Sequence, residues 1–147
     1  MNIYLDVCSI HRPYDDMSID RNRLEAEAVL IILRRIAEHR YSLVSSEMMD
    51  REIAANPDVE KVELVQAILG LAKSRVVPTG VDVMRARDLV VVGFRKLDAL
   101  HLACAETGRC AYFITTDDQL IKRAKRQRRT MSVVVVNPVN FITEVDP

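Results

Sequence analysis

With 147 residues, 49% of them hydrophobic, the chain fits a single domain over 1–147 that buries about two-thirds of its unfolded surface. No apolar run reaches the roughly 18 residues of a membrane span, and the N-terminus lacks the basic-then-apolar layout of a signal peptide. A cytoplasmic location and no membrane partner are therefore expected. Net charge is zero, but Lys122 to Arg129 holds six basic residues and no acid, which leaves minus six on the remainder.

Asn2 to Ser9 reads NIYLDVCS. Ile3, Tyr4 and Leu5 predict a short strand buried on both faces, and the strand ends in Asp6, an ionisable group that needs a partner or a metal there. The polar stretch that follows, with Pro13 and Asp15–Asp16, reads as a loop before a helix from about Ile19 to His39. Leu24, Ala28, Ile31 and Ile32 mark its covered side, and Glu25, Arg34, Arg35 and Glu38 its outer side. Tyr41 to Val44 is a second strand, Ser45–Ser46 supply a helix N-cap, and the helix they start stops at Asn56–Pro57. A further helix spans about Val59 to Lys73. Arg75 to Pro78 forms an edge strand, and Asp82 to Val92 a helix closed by Gly93. Lys96 to Thr107 is a helix apolar almost all round, hence in the core, ended by Gly108. Ala111 to Thr115 is a fourth strand, Asp117 to Arg128 a basic helix, Ser132 to Val136 a fifth strand, and Val139 to Glu144 a last short helix. Strands alternating with helices predict an α/β fold of three α/β/α layers, with a five-stranded parallel sheet covered on both faces. Cys8, Cys104 and Cys110 fall in no CxxC or Cys/His pattern, so they predict neither disulfides nor a zinc site; they read as small buried filler.

Some acids sit where plain solvation does not explain them. On a wheel stepping about 100° per residue from Glu47, Met48 falls near 100°, Met49 near 200° and Ile53 near 240°, and Glu52 at about 140° lies inside that apolar arc. Glu47, Asp50 and Arg51 fall opposite, and Glu47 suits the first turn of its helix, so Glu52 is preferred to Glu47. Asp98 falls between Leu102 and Ala105 on the apolar helix, where burial without a purpose costs several kcal/mol. His101, one turn on, is either a supporting partner, a metal ligand or a satisfied core histidine. Thr115-Thr116-Asp117-Asp118 has an ordinary explanation too, since Thr116 with Gln119 matches a capping box. Yet Asp117 reaches the same carboxyl edge as Asp6 if the first and fourth strands are neighbours, and ligands of open α/β sheets bind at that edge.

Two unit charges about 4 Å apart repel by roughly 4 kcal/mol at an effective dielectric near 20, so four gathered carboxylates call for cations. All-oxygen ligands of high charge suit Mg²⁺ or Mn²⁺, one ion or two, and the chemistry such a centre performs is attack of water on a phosphodiester. Lys122, Arg123, Lys125, Arg126, Arg128 and Arg129 then provide phosphate contacts to RNA. With seven aromatics and no Trp, backbone and shape readout is expected rather than base stacking.

YLDVCS, SSEMMDREI, KLDALHLACA and YFITTDDQL, in this order and spacing over nearly the whole chain, resemble the PIN-domain family, including the ribonuclease toxins of VapC type. The resemblance implies a five-stranded parallel sheet with helices on both faces and Mg²⁺- or Mn²⁺-dependent cleavage of RNA. Its acidic quartet maps onto Asp6, Glu52, Asp98 and Asp117, with Asp118 accessory, and Ser9, His101 and Thr115 are assigned to support these ligands. Members often carry Thr or Ser directly after the first Asp; here Val7 follows, and the first hydroxyl is Ser9. Toxin-type members pair as homodimers and are blocked by an antitoxin protein. A phosphotransfer receiver would need an acidic pair after the first strand, and a haloacid-dehalogenase-type phosphatase would need an Asp where Cys8 stands. The rival reading is a catalytically silent PIN-like module that binds RNA or a protein through the basic helix, 119–129.

Overall fold

The computed structural model describes residues 1–147. Five strands, β1 (Asn2–Leu5), β2 (Ser42–Ser46), β3 (Ser74–Val76), β4 (Tyr112–Ile114) and β5 (Val134–Val136), form one parallel sheet in the order β3-β2-β1-β4-β5. The connections contain α1 (Val7–His11), α2 (Asp20–Ala37), α3 (Glu47–Ala54), α4 (Val59–Leu69), α5 (Gly80–Val91), α6 (Lys96–Thr107) and α7 (Asp118–Arg126), and α8 (Pro138–Asn140) follows β5. Right-handed crossovers put α2 and α4 on one face, because β1 to β2 to β3 runs one way along the sheet. The path then reverses, so α6 and α7 cover the other face, and the three layers are those expected. No helix is long and apolar enough to cross a membrane.

β1 lies at the centre, and Ile3, Tyr4 and Leu5 are wholly buried. Tyr4 stacks on Phe113 of β4 with ring centroids 5.1 Å apart and planes 12° from parallel. A strand flanked on both sides and covered on both faces has no polar exit, so Tyr4 must satisfy its hydroxyl internally.

Several elements depart from expectation. The stretch after Asp6 is not all loop: Val7–His11 is a short helix that buries Val7, Ser9 and Ile10 before Pro13 ends it in a 3₁₀ turn, Arg12–Tyr14. Five residues are too few to show helical periodicity. On α2 the covered and outer sides are partly exchanged, with Glu25 only 1% exposed and Leu24 55% exposed. Glu25 is drawn inward by partners: Nε of Arg21 at 3.0 Å, a guanidinium nitrogen of Arg12 at 3.5 Å, and Nδ2 of Asn137 donating at 2.6 Å. α4 stops at Leu69 rather than Lys73, and the last helix is one turn, Pro138–Asn140, continued by π-type backbone over Phe141–Val145. α5 starts earlier than expected because Thr79 and Asp82 form a capping box. Gly93 closes it at φ 113°.

Gly108 ends α6 for a different reason. Its φ is −72°, open to any residue, but a Cβ there would stand 2.7 Å from Cγ1 of Val44 and 3.3 Å from the Cys104 carbonyl oxygen. The end of α6 thus lies against β2 with no room for a methyl group. Gly108→Ala is expected to lower stability by about 1–3 kcal/mol through overpacking. Urea denaturation measures this, and an unchanged midpoint would show that Val44 yields freely.

Candidate active site

β1 and β4 are neighbours, so Asp6 and Asp117 leave the sheet at the same edge. The Asp6 N–H donates to the Ile114 carbonyl at 2.9 Å, continuing the ladder one residue past β1. Oδ2 of Asp6 accepts from Oγ1 of Thr115 at 2.8 Å and from the Cys8 thiol at 3.3 Å. Oγ1 of Thr115 in turn accepts from the Asp117 N–H at 3.1 Å, so one hydroxyl links the two acids. Asp117, not Thr116, is the N-cap of α7: its Oδ1 accepts from the N–H groups of Gln119 and Leu120 at 3.0 and 3.2 Å.

The other two acids come from helices. Ser46 caps α3 by accepting from the Met49 N–H at 3.2 Å, while Met48, Met49 and Ile53 face the core. This leaves Glu52 half-buried and pointed toward α6. Its Oε2 lies 3.1 Å from Nε2 of His101 but out of hydrogen-bonding alignment, so both atoms are buried without a hydrogen-bond partner. Nδ1 of His101 is 2.6 Å from the Tyr4 hydroxyl, which is 2.6 Å from Oγ of Ser46. One proton ordering satisfies the run: Met49 N–H to Ser46, Ser46 to Tyr4, Tyr4 to Nδ1 of His101, which leaves Nε2–H facing Glu52. Burial keeps the Tyr4 phenol well above its ordinary pKa and hence protonated. Asp98, in the first turn of α6 and half-buried, completes the set.

The carboxylates feel one another. Burial pushes Asp6 up, His101 and Thr115 pull it down, Glu52 pushes it up again, and the balance lies above the ordinary range. Asp98 is also raised, by burial and then by Asp6 and Asp117, against a smaller pull from His101 and Arg95. Coupling thus runs from Glu52 through Asp6 and Asp98 to Asp117, and four distant stretches of sequence meet in one electrostatic unit. The donor chemistry fits a hard divalent cation: carboxylates crowded enough to resist ionising, and a buried carboxylate oxygen with no hydrogen-bond donor. The set is not closed as it stands, since no three acidic, histidine or cysteine side chains are grouped to hold one ion.

Other assignments are corrected. Ser9 is buried and donates to the Ile114 carbonyl at 3.2 Å, so it supports backbone rather than a ligand. Cys8 takes that place beside Asp6, and it is half-buried rather than core filler, unlike Cys104 and Cys110. Asp118 is held by both terminal nitrogens of Arg21, at 2.5 and 2.7 Å, and turns away as an accessory ligand. Glu47 pairs with Arg51 at 3.1 Å on the outer side, as expected. Lys122, Lys125, Arg126, Arg128 and Arg129 are exposed, whereas Arg123 is half-buried with Nη1 shut off and unpartnered. The sequence marks Tyr4 only as a buried strand residue and Ser46 only as a helix cap; their connection to the site has no local signal and depends on partners.

Fold and site together define a three-layer α/β/α protein of PIN-like fold, resembling the PIN-domain family in structure as in sequence order. Compared with family models and with curated proteins, the sequence has no significant match. Solved structures share the fold. FitAcB from Neisseria gonorrhoeae aligns with TM-score 0.61 at 18% identity over 92% of this chain and 97% of that one. FitAB bound to an IR36 DNA fragment aligns with TM-score 0.60 at 18% identity, over 93% and 95% of the two chains. VapBC2 from Rickettsia felis, bound to a DNA fragment from its promoter, aligns with TM-score 0.57 at 9% identity, over 93% and 98%. At these identities the likeness establishes the fold.

Two outcomes follow from the geometry. Tyr4→Phe strands Ser46 and His101 and is expected to cost about 1–3 kcal/mol in chemical denaturation; no loss would show that the hydroxyl run holds nothing. Raised carboxyl pKa values mean that ionisation destabilises the metal-free fold as pH rises through that range. In EDTA at neutral pH, Asp98→Asn should therefore raise the melting temperature, and a lowered one would contradict the repulsion described.

Proposed function

We propose that the chain is an Mg²⁺- or Mn²⁺-dependent endoribonuclease of VapC toxin type, with Asp6, Glu52, Asp98 and Asp117 holding one or two ions. The observation that carries this reading is geometric: Asp6 and Asp117 leave neighbouring strands and are joined through the Thr115 hydroxyl, with Glu52 held against His101 and Asp98 in the first turn of α6, and burial together with like charge raises Asp6 and Asp98. The ion, when bound, lowers the pKa of attacking water and stabilises charge on the phosphodiester oxygens. The chain's own residues do the positioning. Thr115 and Cys8 fix the direction of Asp6, and His101 stands against Glu52. The exposed cations of α7 and the turn after it offset the acids' repulsion of a polyanion.

The likeness to FitAB and VapBC2 supports an antitoxin protein as partner. A row of exposed apolar residues on α5, Val81 (76% exposed), Met84 (66%) and Val91 (84%), supports a homodimer. The silent-module reading has one observation in its favour, the absence of a closed ligand group.

The test compares the protein with Asp6→Asn and Asp98→Asn on structured RNAs, with Mn²⁺ or with EDTA. Cleavage should need Mn²⁺ and fall about 100-fold or more in each variant, and Mn²⁺ should raise the melting temperature of the unmutated protein only. Equal cleavage by all three would sink the proposal; RNA binding with neither cleavage nor a thermal response to Mn²⁺ would establish the silent module.

A further inference from the structure

The sheet ends at β5, and that edge is not blunted. The Val134 N–H donates to the Ala111 carbonyl, and the Val136 carbonyl accepts from the Thr115 N–H, each at 3.0 Å, so both residues turn their backbone groups toward β4. By the alternation of a parallel ladder, the N–H and C=O of Val135 point outward with no strand to meet them. Edges are usually protected by charge, proline or a covering element; Val134–Val136 hold neither a charge nor a proline, and the helices that flank the strand leave a groove over it.

A groove of about 860 Å³ runs along this edge, with Val133 to Val136 as its floor. Its two walls differ because they belong to opposite faces of the sheet. On one side α2, α8 and the turn that follows present Leu24, Val139 and Val145. On the other, α7 and its extension present Lys122, Lys125 and Arg128, three residues apart and in none of the chain's ion pairs. Of the three acids that line the groove, Glu25 and Asp118 share Arg21, while Glu144, exposed on the side of the last turn, accepts from Nδ2 of Asn140 at 2.8 Å. A row of three cations outside any ion pair thus faces, across the backbone edge, a largely apolar wall on which Glu144 is the one unpaired acid.

We propose that this groove binds an extended acidic segment of a partner protein, added as a sixth strand beside β5. A strand alternates its side chains between two faces, so every second residue meets Leu24, Val139 and Val145, and the residues between meet the cations. Carboxylates in the second set and valine- or threonine-like residues in the first fit the two walls. The outward N–H and C=O of Val135 are matched by a peptide backbone, which supplies an acceptor and a donor at that spacing; a phosphate backbone offers acceptors alone. The inference is independent of the metal centre and of ribonuclease activity, since none of the four coupled carboxylates lines the groove.

The probe is a short capped peptide of about nine residues alternating Glu with Val or Thr, compared with its Lys counterpart. Binding to the full chain is followed by fluorescence anisotropy and by exchange of the Val135 amide. The acidic peptide should bind about tenfold or more tighter than the basic one and slow exchange at Val135. Val135→Pro should abolish binding by removing the donor, and Lys122→Glu with Lys125→Glu, on the surface and harmless to folding, should reverse the charge preference. No binding of the acidic peptide at about 1 mM would overturn the proposal, as would binding indifferent to charge reversal. Protection of Val135 by single-stranded RNA in place of the acidic peptide, or by self-association of the protein, would assign the groove to another occupant and equally overturn it.

Discussion

The Tyr4 hydroxyl is the contact on which the site's geometry depends. It sits on the central strand, sealed from solvent, and its only partners are Ser46 and His101, which start α3 and project from α6. A buried phenol without partners costs free energy of the order of several kcal/mol, so the packing that seals Tyr4 also forces the two helices to approach it. Glu52 and Asp98 ride on those helices. Their arrival beside Asp6 follows from satisfying one hydroxyl rather than from any attraction between the acids, which repel.

That repulsion separates two kinds of buried carboxylate in the same chain. Glu25 is more deeply buried than any of the four site acids, yet Arg12, Arg21 and Asn137 meet its oxygens, and it fastens α2 to the end of β5. Asp6 and Asp98 are crowded by like charge, with partners that only partly offset it. Full satisfaction is what a structural carboxylate requires; incomplete satisfaction at the carboxyl edge of a parallel sheet is what supports the proposed metal-binding role of Asp6 and Asp98. An unfavourable term of this kind has to be offset elsewhere in the fold, and the unbroken burial of Ile3, Tyr4 and Leu5 in β1 contributes to that.

The two ends of the sheet have different fates for a related reason. Travel along the sheet reverses after β3, so β1 and β4 become neighbours at the point where ligands gather, while β5 is left outermost. The same reversal places α7 on the opposite face from α2, which gives the β5 edge one basic wall and one apolar wall. The basic run therefore borders a surface wider than the acidic centre. Its residues are also not equivalent, since Arg123 is half-buried while Lys122, Lys125 and Arg128 are exposed and line the groove.

Hydrophobic period and misplaced charge are local signals, so the five strands, the parallel layering and the candidacy of Asp6, Glu52, Asp98 and Asp117 are legible in the amino-acid sequence. That Glu52 turns toward His101 while Glu47 stays outside with Arg51 was legible from the helix wheel. The tertiary structure decided everything that rests on partners: that Asp118 belongs to Arg21, that Ser9 serves backbone while Cys8 reaches Asp6, and that Glu25 is buried and Leu24 is not. It also decided that Tyr4 joins the site through His101. Most of these rest on contacts between residues far apart in the chain, and even the local ones, such as Cys8 on Asp6, depend on what stands opposite a polar group, which periodicity does not encode.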